Sequence, residues 1–527
     1  MFDVVNKIGW RRLLLIVGAL IFWLIPICFD ITFSSIDDCF YMWIMSGDYT
    51  GTNSPLAPFI GYVYSIVVMS LYKISNDIEW YTLGFYVQMF VCYLVFLHMV
   101  INSKLSKCVK IALYVAITAF QVYIEFQPHN GIVGIEDAVA AFMLLFFCDD
   151  KKKIALAYVL FFFSTQMRWE GAFIPFMIGF PIFFYNLTFK NIRKYRLPIC
   201  KLLGVLVVAI LTLFINKAAY PSNQEWKTFS KSNYLRGYIV DNTNNEDVYA
   251  TLSTKKDSVM YDLTAKCRMA DPATLDYKEM TKHVEFLKSQ GFHAAKSCFF
   301  WYYGEYKSLG CWWVALLAIV CLFAIFKTRD MRGLLLMVAS FVMFVLGNYY
   351  MMSQSRPKGR LLIPFLVILS FIYLWIIYQR QKRYFAVITI VLCVLFSATY
   401  LRLILQAHQQ TKEQLTAFDK MEKFLETIPD EKVMTCVSPY PEVFHVTKTK
   451  YGNKTYFPDW EMCTPLSPSG QGVAPLLKGM PVFCSKSGFS TFSDITISYI
   501  ETFYGTKLHP VVIKQDGDYV LAKFTKE

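Results

Sequence analysis

The stretch Ser34 to Trp80, SSIDDCFYMWIMSGDYTGTNSPLAPFIGYVYSIVVMSLYKISNDIEW, decides how the chain is threaded. Its second half, residues 56–74 (LAPFIGYVYSIVVMSLYKI), is apolar and long enough to cross a bilayer. Whether it crosses sets the side on which every later loop falls. Outward from it, apolar runs dense enough to span lie near 13–30, 81–101, 111–125, 137–148, 153–167, 172–187, 199–217, 310–326, 333–351, 361–378 and 384–402. With residues 56–74 left out and the N-terminus inside, the short basic connections share one side. They carry Lys104, Lys107 and Lys110; Lys151, Lys152 and Lys153; Lys190, Arg193, Lys194 and Arg196; Lys327, Arg329 and Arg332; and Arg380, Lys382 and Arg383. That is the positive-inside pattern, and counting 56–74 as a span would break it. Residues 56–74 are therefore expected to form a re-entrant or interfacial helix in a long first outer loop, 31–80.

Composition agrees with a bilayer as solvent. Of 527 residues, 55% are hydrophobic, 17% aromatic and only 17% charged, against roughly 25% charged in a soluble chain. The net charge of +13 comes from short clusters between apolar runs, which argues against a nucleic-acid surface. The first run, Leu13 to Phe29, follows Lys7, Arg11 and Arg12 and lacks a small-x-small cleavage site, so it reads as a retained anchor. The expectation is a polytopic α-helical membrane protein with about eleven spans. Amphipathic helices would occupy its first outer loop, and an odd span count would put the C-terminus outside.

Four parts follow: a transmembrane module, 1–217; a polar outer segment, 218–309; further spans, 310–402; and a second polar segment, 403–527. The last carries short β-like runs at Lys432 to Val437, Met480 to Cys484 and Val511 to Ile513 after a helix at Thr411 to Thr427, and reads as a small α/β domain. Cys267 and Cys298 fall in the first polar segment, and Cys436, Cys463 and Cys484 in the second, which permits disulfides without fixing their connectivity. No CxxC pair or His-rich spacing argues for a structural metal.

Asp37 and Asp38 follow directly on the outer end of the first span, where a carboxylate needs a reason. It can deprotonate a hydroxyl or hold a cation; alternatively, Asp37 caps a helix that Gly47 stops. The order of features resembles the polyprenyl-phosphate-sugar-dependent glycosyltransferases of the type C (GT-C) superfamily, which include the aminoarabinose transferases and protein mannosyltransferases. The matching residues are Asp37 and Asp38, Ser46-Gly47-Asp48, Pro55 and Pro58, the helix Phe59 to Ile74, and Glu79-Trp80. The turn Met167-Arg168-Trp169-Glu170-Gly171 stands where relatives often carry Lys-Gly, so Arg168 would be the cation and Glu170 is a departure. A local Arg168–Glu170 ion pair is the plainer reading.

The loop Ser353 to Pro364 (SQSRPKGRLLIP) places Arg356, Lys358 and Arg360 outside, against the charge rule. An anion such as a lipid-linked phosphate would satisfy them, and so would headgroups alone. It resembles the basic-aromatic-Leu-Leu-Pro entry to a late span in these transferases, with Arg360 replacing the aromatic. A second outer loop, Glu125 to Asp137, adds His129, Glu136 and Asp137. Tyr349, Tyr350, Trp312 and Trp313 read as an interfacial belt.

The resemblance implies an extracytoplasmic enzyme of the inner membrane that moves one sugar, with inversion, from a polyprenyl (undecaprenyl) phosphate to a cell-envelope glycan such as O-antigen, capsule or a teichoic-type polymer. Asp38 or Asp37 would take the acceptor proton. Arg168, Arg356, Lys358 and Arg360 would hold the donor phosphate, with Glu136, Asp137 and Glu170 as secondary acids. No metal ligand set is expected, although a divalent cation could assist the acids; the partners are the lipid-linked donor, a glycan acceptor and membrane lipids, not nucleic acid. A repeat-unit polymerase or ligase using polyprenyl diphosphate, and a non-enzymatic lipid-linked sugar transporter, are the alternatives.

Overall fold

The computed structural model describes residues 9–183, 185, 196–221, 223–240, 249, 252, 254–267, 269, 271, 273, 277–289, 299, 302–307, 312–353, 362–380, 382–428, 432–435, 455–456, 465 and 472–526. The chain is a polytopic α-helical membrane protein ending in a small α/β domain. In chain order, the transmembrane module holds α1 (Trp10–Cys28), α2 (Ile36–Ser46), α3 (Tyr62–Ile74), α4 (Trp80–Asn102), α5 (Lys107–Glu125), α6 (Asn130–Phe147), α7 (Lys151–Met167), α8 (Trp169–Ala172), α9 (Ile174–Phe183) and α10 (Arg196–Ala219). After it come α11 (Gln224–Val240), α12 (Lys255–Ala265), α13 (Tyr277–Ser289), α14 (Trp312–Thr328), α15 (Met331–Ser353), α16 (Leu362–Arg380) and α17 (Lys382–Glu426). Among the described residues, 8 helices are long and apolar enough to cross a membrane: α1, α4, α5, α6, α10, α15, α16 and α17. With α7, the α8–α9 pair and α14, which are shorter, these account for the eleven expected runs.

The 13 residues of α3 extend about 20 Å at about 1.5 Å each, short of the roughly 30 Å hydrocarbon core. That length accords with the expectation that the segment does not span, drawn from the side on which the later basic loops fall. It begins at Tyr62 and not at Phe59, because residues 55–61 run as a loop. The preceding helix departs from the expectation more strongly. Every residue of α2 from Asp38 to Ser46 is buried, so α2 is a plug inside the protein and not an amphipathic surface helix. Its cap also differs: Ser35 Oγ accepts from the Asp37 backbone N–H at 3.4 Å, so Ser35 and not Asp37 is the N-cap. Gly47 ends the helix at φ 78°, and a Cβ there would meet the backbone of Thr52 and Asn53 at 2.9 Å. Asn53 Nδ2 donates to the last carbonyls, Met45 and Ser46 (3.0 and 2.8 Å).

The last span and the helix expected at 411–427 are one helix. The 45 residues of α17 extend about 68 Å, along α5 within the bundle and then out to the C-terminal domain. That domain is a five-stranded sheet in the order β2-β1-β3-β5-β4, with β1 Val433–Thr435, β2 Thr455–Tyr456, β3 Val482–Ser485, β4 Leu508–Asp516 and β5 Tyr519–Lys526. β1 is parallel to β2 and β3, whereas β5 runs antiparallel to β3 and β4. The helices α18 (Ala474–Leu477) and α19 (Lys486–Tyr504) complete it.

The two polar segments share a core. Val259, Leu263, Cys267 and Met269 join Met434, Phe492, Tyr499 and Phe524 in one buried cluster. Asp271 accepts from Tyr499 and Tyr504 hydroxyls at 3.2 and 2.7 Å. Cys267 and Cys484 carry free thiols; Cys298, Cys436 and Cys463 lie outside the described residues.

One end of the bundle is assembled from turns distant in sequence. Ser34 N–H donates to the Pro128 carbonyl at 3.2 Å, Thr32 and Thr411 hydroxyls meet at 3.3 Å, and the His408 ring sits edge-on to Phe29 and Phe126. The loop 55–61 is pinned to the same end: Gly61 N–H donates to the Gln166 carbonyl (2.6 Å), and Tyr220 Oη donates to the Ala57 carbonyl (2.8 Å). At the opposite end, cations close helices: Lys110 Nζ donates to the Ile101 carbonyl and Lys201 Nζ to those of Leu145 and Cys148.

Candidate active site

The pinned end carries the acids. Residues 37 and 38 open α2, where negative charge faces the positive end of the helix dipole. One residue along a helix turns a side chain by about 100°, and the two acids consequently meet different surroundings. Asp38 is 0% exposed. Its Oδ1 accepts from Tyr81 Oη at 2.8 Å, the Asn130 backbone N–H approaches both oxygens at 3.3 and 3.4 Å, and His129 Nε2 lies 3.9 Å from Oδ2. Asp37 is half-buried, and its carboxylate makes no hydrogen bond or ion pair among the described residues.

His129 caps α6, its Nδ1 accepting from the Gly131 N–H at 2.7 Å. In the neutral ring the proton is then on Nε2, directed at Asp38. Tyr81 opens α4, and its backbone is tied to α3: Tyr64 Oη donates to the Tyr81 carbonyl (3.1 Å), and Tyr81 N–H donates to Tyr72 Oη (3.2 Å). Burial, with the Asp38 charge adding to it, pushes the Tyr64 phenol well above its ordinary range, so it stays neutral. Asp38 is thus a braced acid, and Asp37 is the one with its oxygens to spare.

Glu136 and Asp137 do not lie in an outer loop. The turn is 126–129, and both acids sit within α6. They and Glu125 are buried, with both oxygens of Glu125 and Glu136 and Oδ2 of Asp137 lacking a hydrogen-bond partner among the described residues. Cys92 Sγ donates to Asp137 Oδ1 at 3.0 Å. Carboxylate oxygens left without partners inside a bundle are expensive.

Arg168 links α7 to α8 at the same end, since Ser164 and Met167 of its helix pack on Gly134 of α6. Its Nε pairs with Glu170 Oε2 at 3.3 Å. Arg168 is 12% exposed and Glu170 70%, so the expected ion pair is present, with its acid in solvent and worth little. Above the Arg168 guanidinium lies the Phe59 ring, 5.7 Å away. Phe59 has φ 62°, which for a bulky side chain costs about 1–2 kcal/mol.

Beside Glu136, an apolar cavity of ≈ 260 Å³ opens between α5, α6, α14, α16 and α17. Glu136 lines it, as do Ile132, Trp313, Ile363, Pro364 and Phe396. Trp313 is buried whereas Trp312, Tyr349 and Tyr350 are exposed, so Trp313 belongs to the cavity and only the other three suit a belt. Arg356, Lys358 and Arg360 lie outside the described residues. Among the described residues no group of three His, Cys, Asp or Glu could hold a metal ion.

No family model matches the chain, and no curated protein matches it. Among solved structures it is similar to ArnT from Cupriavidus metallidurans in the apo state, at 10% identity and a TM-score of 0.43, over 98% of both chains. It is similar also to ArnT from the same organism bound to undecaprenyl phosphate, at 10% identity and a TM-score of 0.37, again over 98% of both chains. At such identity and TM-scores the likeness says nothing of this chain's substrate or chemistry.

Proposed function

We propose that this protein is a membrane glycosyltransferase that moves a sugar from a polyprenyl phosphate to a glycan acceptor on the non-cytoplasmic face. The observation that carries the reading is the pair Asp37 and Asp38 at the pinned end of the bundle: one acid braced and buried, its neighbour making no hydrogen bond or ion pair among the described residues. Asp37, rather than Asp38, takes the acceptor hydroxyl's proton. The acceptor oxygen bonds to the anomeric carbon as the bond from that carbon to the phosphate oxygen breaks, with inversion. Polyprenyl phosphate leaves with its charge met by Arg168 and by Arg356, Lys358 and Arg360. Asp38 fixes the helix end that carries Asp37, through Tyr81 and His129.

The cavity suits the first isoprene units of the donor. Two of its lining residues, Ile363 and Pro364, follow Arg360 by only a few positions in the sequence. Glu136, at the cavity wall, is the second acid within reach of a sugar hydroxyl; Glu170, paired and exposed, is set aside. The acceptor belongs to the cell envelope, and an undecaprenyl carrier in a cytoplasmic membrane is the natural donor.

Gene deletion tests this in the native host. Loss of one sugar from a surface glycan, with accumulation of its polyprenyl phosphate form, is expected. Complementation should succeed with the unchanged gene and fail with Asp37→Asn. An unaltered envelope glycan would overturn the reading.

A further inference from the structure

Another cavity lies outside the bundle. Where α17 leaves it, Lys412, Thr416, Lys420 and Lys423 recur every three or four residues and so share one face of the helix. Across from that face is the turn between β4 and β5, with Asp516 and Asp518. Helix and turn enclose a groove of ≈ 820 Å³, within the roughly 300–1,000 Å³ of ligand sites. Its two walls are tied together at one edge. Tyr519 Oη donates to the Ala417 carbonyl (3.1 Å) and Lys514 Nζ to Thr427 Oγ1 (2.5 Å), while the rings of Phe424, Phe483 and Tyr519 pack at 5.4 to 6.0 Å. The groove starts at the end of the bundle that carries the acids. Thr411, one residue before Lys412, meets the Thr32 hydroxyl at 3.3 Å, and Thr32 also donates to Gln414 Oε1 (3.5 Å). Phe418 packs on the buried cluster that holds Phe40, from the helix of Asp37 and Asp38. From Lys412 to Lys423 the groove follows α17 for about 16 Å.

We propose that this groove binds the glycan of the acceptor, as an uncharged oligosaccharide leading to the hydroxyl that Asp37 deprotonates. This rests on the glycosyltransferase reading above. The walls carry charges of both signs that do not join: among the described residues, the side chains of Lys412, Lys420, Lys423, Asp516 and Asp518 make no ion pair or hydrogen bond. A lysine can only donate and a carboxylate can only accept. An anionic ligand would meet the lysines and be repelled by the acids, and a cation the reverse. A hydroxyl both donates and accepts, so a chain of hydroxyls satisfies both walls at once. The elongated shape takes a chain in preference to a single small molecule, and the end at Lys412 directs that chain toward the acids.

The test uses the full-length protein in nanodiscs with undecaprenyl phosphate bearing glucose, galactose or mannose, and follows release of undecaprenyl phosphate as the host's envelope glycolipid fraction is titrated in. Lys420→Gln with Lys423→Gln, and separately Asp516→Asn with Asp518→Asn, should each raise the KM for that fraction roughly three- to tenfold. The KM for the phosphosugar and the Tm should stay as they were, since all four side chains are exposed. Thr416→Trp, which puts bulk into the groove without altering its charges, should raise the same KM. Periodate treatment of the fraction, which cleaves vicinal diols, should abolish turnover, and protease treatment should not. A KM lowered by the two acid substitutions would mean an anionic acceptor and overturn the uncharged one; turnover lost to protease and kept after periodate would make the occupant a peptide. An unaltered KM in all three variants, with release intact, would remove the groove and leave the glycosyltransferase reading standing. No release by the unchanged protein from any of the phosphosugars would overturn that reading and the groove with it.

Discussion

Removing the Tyr81 hydroxyl should destabilise the protein through Asp38. Asp38 is fully buried and accepts a 2.8 Å hydrogen bond from Tyr81 Oη. The Asn130 N–H at 3.3 to 3.4 Å and the His129 ring at 3.9 Å are longer contacts. A hydrogen bond to a charged group contributes about 1.5–3 kcal/mol, and a neutral one about 0.5–1.5 kcal/mol. Tyr81→Phe keeps the ring that packs against Phe33 and Phe85, so its cost isolates the hydroxyl. We expect about 2 kcal/mol for Tyr81→Phe alone and about 1 kcal/mol when it is added to Asp38→Asn, a coupling of about 1 kcal/mol. Unfolding in mixed micelles titrated with sodium dodecyl sulfate would measure all four corners of that cycle. A cost below about 0.5 kcal/mol in both backgrounds would show that Asp38 is not braced by Tyr81, and the division of labour between the two acids would fall.

Gly61→Ala should destabilise by about 1–3 kcal/mol, because the new Cβ meets Gln166 Cα at 2.8 Å as well as its side chain; thermal melting checks it, and an unchanged Tm would show that the loop is not seated on α7. Burial holds the Asp271 carboxyl above its ordinary pKa despite the Tyr504 and Tyr499 hydroxyls that oppose it. Between the unfolded and folded values the native state binds more protons, so stability should fall as pH rises from about 4 through the raised folded value. Melting curves across pH should show this slope and Asp271→Asn should flatten it; a slope of opposite sign would contradict the burial. Arg356→Gln with Arg360→Gln should weaken use of the lipid donor, each lost charge-assisted bond being worth roughly 1.5–3 kcal/mol, and Lys at either position should restore only part. Unchanged donor dependence would assign those cations to headgroups.

The threading was legible because charge and length speak independently of packing. The lysine clusters forced residues 56–74 out of the span count, and the 13 residues of α3 agree. Polarity rises after Arg402, which divides the long α17 into a span and a separate helix when judged by composition alone. Yet no Gly or Pro interrupts 383–428, so nothing stops the helix, and that cue was available. Ser35 as cap was equally available from the capping rules. The separation of Asp37 from Asp38 was not: adjacent acids on a helix face different ways, but which one faces inward depends on where α2 sits in the bundle. Tyr81 and His129, 43 and 91 positions from Asp38, reach it only through the packing of α4 and α6 on α2, and no local pattern marks them. The shared core of the two polar segments is of the same kind, with Asp271 and Tyr504 distant in sequence and adjacent in space.

The central claim is that Asp37 is the base of a sugar transfer from lipid phosphate. The measurement is release of free undecaprenyl phosphate from undecaprenyl phosphosugars by purified full-length protein in nanodiscs, with the host's own envelope glycolipid fraction as acceptor. The account predicts acceptor-dependent release by the unchanged protein. It predicts a fall of about 10²- to 10⁴-fold for Asp37→Asn at an unchanged Tm, and a fall in both rate and Tm for Asp38→Asn. Full release by Asp37→Asn, or equal release with and without acceptor, would contradict it.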